Sequence, residues 1–159
     1  MWKRMVIFMR AVIQRTNGAE ITINGEETRT AEAGVVVFIC AMQGDTDAQA
    51  EFLAQKICEL RIFKDENDKM NRSLIDVKSD ILIVSNITIS ADMKRGRRPD
   101  FSNSASPDEA KRLYEYFIEQ VRKQPVGQVC TGEFGAHMHV NVQNDGPVNI
   151  ILDTERIGK

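Results

Sequence analysis

The 159 residues carry a formal net charge of −2, with 42% hydrophobic and 28% charged side chains, the balance of one soluble globular domain large enough for a real core. That balance excludes indiscriminate nucleic-acid binding while leaving room for a local basic patch, and no run approaches the ~18 apolar residues of a membrane span. Cys40, Cys58 and Cys130 are widely spaced without a C-x-x-C pair, which reads as reduced, buried thiols of a cytosolic protein rather than a disulfide frame.

The opening Met1 to Met9 sets Lys3 and Arg4 before a short apolar stretch but lacks the h-region and cleavage site of a signal peptide. Met9-Arg10-Ala11-Val12-Ile13-Gln14-Arg15 reads as a second start, making residues 1–8 an N-terminal extension and 9–159 the domain. Arg10 to Arg15 and the alternating Ala19 to Ile23 suit strands, Asn24-Gly25 signals a hairpin, and Glu26 to Thr30 returns. Gly34 opens Val35 to Cys40, a β-branched run that suits a strand buried on both faces.

Thr46 with Gln49 fits a capping box, ahead of a helix with Ala50, Leu53, Ile57 and Leu60 on one stripe. Arg61 to Phe63 suits a short strand. Asp65 to Lys69 is a polar turn that lacks the glycine and terminal glutamate of a calcium loop. Ile81 to Ile89 reads as a second core strand interrupted by Ser85 and Asn86, whose polar groups must bond to backbone or face a pocket. Lys94-Arg95-Gly96-Arg97-Arg98-Pro99 is the dense basic cluster, a loop suited either to phosphates or simply to solvent. Ser106-Pro107-Asp108-Glu109 combines cap, N1 proline and capping-box glutamate. It starts a helix whose apolar stripe is Ala110, Leu113, Tyr114, Phe117, Ile118 and Val121. Val129 to Gly135 is a glycine-punctuated lead into His137 to Leu152, read as an alternating strand, a tight turn over Asn144 to Pro147, and a second apolar strand.

His137 and His139 share a strand face with Asn141 and Gln143, opposite Met138, Val140 and Val142. An H-x-H pair holds a catalytic zinc only with a third ligand, and the sequence offers no obvious one; no metal or other cofactor is expected. Thr88 and Ser85 are the available hydroxyl nucleophiles, but the histidines lie in a distant strand. No G-x-S-x-G elbow, Walker loop or G-x-G-x-x-G is present. The Gly146-Pro147 corner is either an ordinary turn or a rigid wall of backbone carbonyls, at one of the few bonds where cis costs only ~0.5–1 kcal/mol. Composition and spacing stop at an α+β domain with a polar pocket and a basic loop.

Three segments together resemble the D-aminoacyl-tRNA deacylase family: Met9 to Arg15; Ser85-Asn86-Ile87-Thr88-Ile89, where the family has Ser-Gln-Phe-Thr-Leu; and Asn144-Asp145-Gly146-Pro147-Val148-Asn149, where it has Asn-x-Gly-Pro-x-Thr. Leu60 to Phe63, Lys69 to Asn71, Lys94 to Pro99 and Phe134 to Met138 match in order, so the resemblance spans residues 9–153. Asn86, Ile87 and Asn149 depart from the family pattern, while Ser85, Thr88, Gly146 and Pro147 keep it.

The resemblance implies a single compact α+β domain, with mixed β-sheets forming a barrel-like core beside two main amphipathic helices. It implies a cytoplasmic homodimer in which Gly146-Pro147, in cis, enters the partner's pocket. The implied reaction is hydrolysis of the ester joining a D-amino acid, or glycine on tRNA(Ala), to tRNA. In that frame Ser85 and Asn86 line the ester end and Thr88 orients the ester or attacks it. Gly146 and Pro147 exclude L side chains. Ile87, Phe134, Ala136, His137, Met138, Asn144 and Asn149 complete the pocket, and Lys94, Arg95, Arg97 and Arg98 meet tRNA phosphates. The alternatives are a related deacylase with shifted amino-acid specificity and a non-catalytic RNA-binding dimer.

Overall fold

A computed structural model of the chain describes residues 9–153; the expected extension over residues 1–8 lies outside the described residues. The chain runs through β1 (Arg10–Ile23), β2 (Glu27–Cys40), α1 (Asp47–Glu59), β3 (Phe63–Lys64), β4 (Met70–Arg72), α2 (Leu74–Val77) and β5 (Asp80–Ser85). A 3₁₀ turn (Ile87–Ser90), α3 (Pro107–Arg122), β6 (Val129–Thr131) and β7 (Met138–Asp153) follow. The five-stranded sheet has the order β6-β5-β2-β1-β7, and β3-β4 form a separate pair. β1 lies antiparallel to β2 and β7, whereas β5 lies parallel to β2 and β6. The α+β class and the two main helices are as expected, but the barrel does not close. The sheet leaves β6 and β7 as its edges.

The first hairpin is longer than its sequence pattern suggests. Asn24 and Gly25 take positive φ at the turn, as Asn-Gly favours, but each arm is one strand of 14 residues. A bend divides those arms between two cores. Ala11 and Ile13 of β1, with Val35, Val37 and Ile39 of β2 and Ile81 and Ile83 of β5, pack beneath α1 and α3. Ala19, Ile21, Ala31, Val36, Leu82 and Val84 form the second core, flanked by Met138, Val140 and Val142. β5 and the Val35 to Cys40 half of β2 are thus buried on both faces, as the continuous β-branched run requires.

Helix α1 starts where the Gln49 side chain accepts the Thr46 backbone N–H at 2.7 Å, and it buries Ala50, Leu53, Ala54, Ile57 and Cys58. In α3 the Ser106 hydroxyl accepts from the Glu109 N–H at 3.4 Å, and Leu113, Tyr114, Phe117 and Val121 turn inward. The Glu109 carboxylate, expected to complete a capping box, instead binds Arg112 at 2.6 Å, and Arg112 also reaches Asp47 of α1 at 2.7 Å.

Two expected elements differ. The strand read over Ile81 to Ile89 ends at Ser85, because the Asn86 side chain accepts the Thr88 N–H at 3.2 Å and caps a 3₁₀ turn. Asparagine favours such local bonds over a ladder. The Asn144 to Pro147 segment does not reverse the chain. β7 stays antiparallel to β1 from Met138 opposite Ile23 to Asp153 opposite Arg10, with an excursion between Asn144 and Asn149 that lies against Arg15.

The close approach of β2 to β5 generates a prediction. A Cβ on Gly34 would lie 1.8 Å from the Asp80 carbonyl oxygen. Gly34→Ala is therefore expected to reduce stability by about 3 kcal/mol, read as a lower midpoint in urea unfolding.

Candidate active site

β2 and β5 are parallel and end side by side, and ligand crevices in parallel sheets form beyond such carboxyl ends. Here the ends open into a cavity of about 680 Å³. Ser85, Asn86, Ile87 and Thr88 line it together with Phe134, Ala136, His137 and Met138 from the approach to β7. Met9, Cys40, Ala105 and Tyr114 also contribute to its wall. The structure thus gathers the two groups of predicted pocket residues that sequence separates by nearly fifty positions.

The polar rim is held by short-range bonds. The Asn86 N–H donates to the Ile39 carbonyl at 2.9 Å, tying the end of β5 to β2. The Thr88 hydroxyl donates to the Asn86 carboxamide oxygen at 2.5 Å, so its proton faces a very weak base. Ser90 donates to the Ile87 carbonyl at 2.7 Å, and the Arg10 guanidinium donates to the Ile89 carbonyl at 3.3 Å. Ile87 projects outward and is 56% exposed.

Two further cavity groups are chemically quiet. Burial pushes the Cys40 thiol up to about 11, so it is protonated at neutral pH and a poor nucleophile. Burial likewise raises the Tyr114 hydroxyl, which donates to the Ile83 carbonyl at 3.0 Å. Its ring packs against Phe134 with centroids 5.8 Å apart.

His137 is closer to the candidate nucleophiles than strand order suggests, because it lines the same cavity as Ser85 and Thr88. Its Nε2 lies 3.2 Å from Nε2 of His139. Among the described residues no group of three His, Cys, Asp or Glu side chains converges as a metal site.

Gly146, Pro147, Asn144 and Asn149 do not line this cavity. Gly146 and Pro147 are exposed, joined by a cis bond, on the excursion from β7. Its base is closed by Asn144, whose Nδ2 donates to Asn149 Oδ1 at 2.7 Å and whose Oδ1 accepts the Val148 N–H at 3.2 Å. Gly146 has φ 126°, a backbone state that favours glycine, and a Cβ there would come within 2.9 Å of Val148.

Arg15 supports the excursion from beneath, a role absent from the sequence reading. It is 6% exposed, and its Nη1 donates to the Ile62 carbonyl at 2.6 Å while Nε donates to the Asp145 carbonyl at 3.2 Å. Its Nε also lies 3.4 Å from the Asp145 carboxylate. The available signal was an arginine ending an apolar strand run, since a buried cation needs fixed acceptors.

Lys94, Arg95, Arg97 and Arg98 are all exposed. They occupy a loop closed by reciprocal backbone bonds between Asp92 and Asp100 at 2.8 and 3.0 Å, and they do not line the cavity.

Comparison with known proteins places these segments in context. A family model described as D-Tyr-tRNA(Tyr) deacylase matches residues 12–153. A D-aminoacyl-tRNA deacylase of Thermosipho melanesiensis is 51% identical over 149 residues, covering 94% of this chain and 99% of that protein. Its counterpart in Ruegeria pomeroyi is 50% identical over 145 residues, covering 91% and 99%. The solved structure of a c-Myc DNA unwinding element binding protein superposes with a TM-score of 0.85 at 36% identity, covering 90% of this chain and 97% of that one. A structure of a probable eukaryotic D-amino acid tRNA deacylase, 21% identical, shares the fold with a TM-score of 0.80 over 92% of this chain and 99% of its own.

The buried guanidinium yields a test. Arg15→Met leaves the Ile62 and Asp145 carbonyls without their donor and is expected to cost about 2–3 kcal/mol. Urea unfolding gives that loss, and faster amide hydrogen exchange at Gly146 and Val148 would report the released excursion.

Proposed function

This chain belongs to the D-Tyr-tRNA(Tyr) deacylase family, and on that premise we propose that it hydrolyses the ester between a D-amino acid and the terminal adenosine of tRNA. Water adds to the ester carbonyl, the bond to the ribose oxygen breaks, and free amino acid and tRNA leave. The observation that carries this reading is the family match across residues 12–153, which contains every segment of the cavity except Met9.

The reaction suits a site without a triad. An aminoacyl ester is already activated, and a neighbouring ribose hydroxyl lies beside the scissile bond. Positioning and backbone N–H donors to the oxyanion supply much of the acceleration, since losing one such donor typically costs ~10²–10³ in rate. Ser85 and Asn86 line the ester and adenosine end. Thr88 orients the ester rather than attacking it, a role supported by the bond of its hydroxyl to Asn86.

The carbonyls of Gly146 and Pro147 accept the substrate amino group and leave no volume for an L side chain. They work in the pocket of a second copy, so the active enzyme is a cytoplasmic homodimer. The exposure of both residues and their position outside their own chain's cavity support that arrangement. Ile87, Phe134, Ala136, His137 and Met138 form the pocket wall, with Asn144 and Asn149 fixing the inserted corner. Glycyl-tRNA(Ala) is a second substrate, because glycine has no side chain to exclude. The chemistry draws on no metal or cofactor.

A second reading is a shift in amino-acid specificity. Asn86 spends its carboxamide oxygen on its own turn, and Asn149 is engaged by Asn144, so two of the departures from the family pattern sit at positions that shape this site.

Ester loss from D-aminoacyl-, glycyl- and L-aminoacyl-tRNA separates the readings. Selective loss of the D and glycyl esters is the expected outcome, loss of an L ester favours shifted specificity, and binding without hydrolysis refutes the enzyme assignment. Lys94, Arg95, Arg97 and Arg98 meet acceptor-stem phosphates. Changing all four to Gln should weaken tRNA binding and flatten the plot of log affinity against log salt by roughly 3, measured by filter binding; an unaltered slope removes that role.

A further inference from the structure

We propose that Asp45 is a socket for an α-ammonium group, that of Met9 at the start of the functional chain. The Asp45 side chain lies in the turn between β2 and α1 and is only 4% exposed. One carboxylate oxygen accepts the Met9 nitrogen at 3.0 Å, and the other accepts the Met42 N–H at 2.6 Å. A carboxylate offers about four lone-pair sites, and burying its charge without a cation is costly. Among the described residues no salt bridge reaches it.

Its ionisable surroundings offer no substitute. Cys40 at the end of β2 is a buried, protonated thiol. Arg10 of β1 directs its guanidinium to the Ile89 carbonyl, and Asp47 of α1 is paired with Arg112. Burial pushes the Asp45 carboxyl up to about 6 when main-chain amides are its only partners.

The nitrogen already in contact resolves this imbalance. As part of a peptide bond, Met9 nitrogen carries one neutral donor; as a chain start it carries three donors and a positive charge at the same point. Met9 is itself a built part of the fold, with a side chain 1% exposed in the main core. The socket also bears on the cavity. Met9 and Ala41 line it, Met42 bridges Ser104, and the Ala105 N–H donates to the Ala41 carbonyl at 3.0 Å. A charged start therefore braces the wall that Ser104 and Ala105 present to the cavity.

The test compares the 159-residue chain with one beginning at Met9, which keeps every described element, each with Asp45 and with Asp45→Asn. Near pH 7 the shorter chain is expected to melt higher by on the order of 5 °C. The paired ammonium has a folded pKa above its unfolded value of ~8, so its contribution is present below ~8 and is lost as pH rises through the folded value. The difference also shrinks as pH falls below about 6. There Asp45 of the longer chain takes up a proton, while that of the shorter chain is still held ionised by its ammonium partner. Asp45→Asn should abolish the difference, whatever it does to each chain alone. Equal melting of the two parent chains, or a difference that survives Asp45→Asn, overturns the proposal. NMR titration of the Met9 amine in the shorter chain decides independently: a value above ~8 supports the socket, and one at or below it refutes it.

Discussion

Two adjacent parallel strands set the geometry of the molecule. β2 and β5 run together from Gly34 opposite Asp80 to Ile39 opposite Ser85. Gly34 permits the backbone approach at one end, where Asp80 also accepts the Glu32 and Gln128 N–H groups at 3.0 and 2.8 Å. The bond from Asn86 to Ile39 closes the other. Between those points both strands are shielded on both faces, which suits parallel pairing and leaves the open end of the pair as the place for a cavity. Moving the register by one residue would exchange the side chains facing the two cores and carry Ser85 to the opposite face.

The cations fall into two classes, one buried and bonded, the other solvated. Arg15 is buried and bonded to the Ile62 and Asp145 carbonyls, so it holds backbone in place. The cations of the loop between Asp92 and Asp100 are solvated, and their fields reach outward. Buried cations act through fixed geometry, whereas exposed ones act through range and are screened by salt. One arginine side chain therefore serves the corner at Gly146, while Lys94, Arg95, Arg97 and Arg98 stand in solvent.

Much of this was legible in the order of residues. The β-branched run over Val35 to Cys40, the caps at Thr46 and Ser106, and the Asn24-Gly25 turn each rest on short-range preference, and each element formed. The misread pieces depend on side-chain and ladder partners that the apolar pattern does not show. Asn86 ended its strand by folding its side chain over Thr88, a choice that the apolar residues on either side conceal. Asn144 to Pro147 carries the residues of a reversal, yet β1 holds both flanks in one ladder and turns the would-be hairpin into a bulge. His137 reached the cavity of Ser85 and Thr88 only through the fold, and Arg15 acquired its role from Ile62 and Asp145. The family was readable by resemblance, whereas the support that Arg15 gives the excursion was visible only in three dimensions.

The excursion between Asn144 and Asn149 interrupts β7, and the ladder with β1 resumes after it, with one further register shift between Thr16 and Ala19. The sheet thereby fixes where the tip stands, while the residues of the tip contribute almost nothing to the ladder that fixes them. Such an arrangement uncouples innovation from foldedness: lineages can vary the chemistry or reach of the tip and keep the same scaffold. A protein built this way can change the surface of its tip long before it changes in shape.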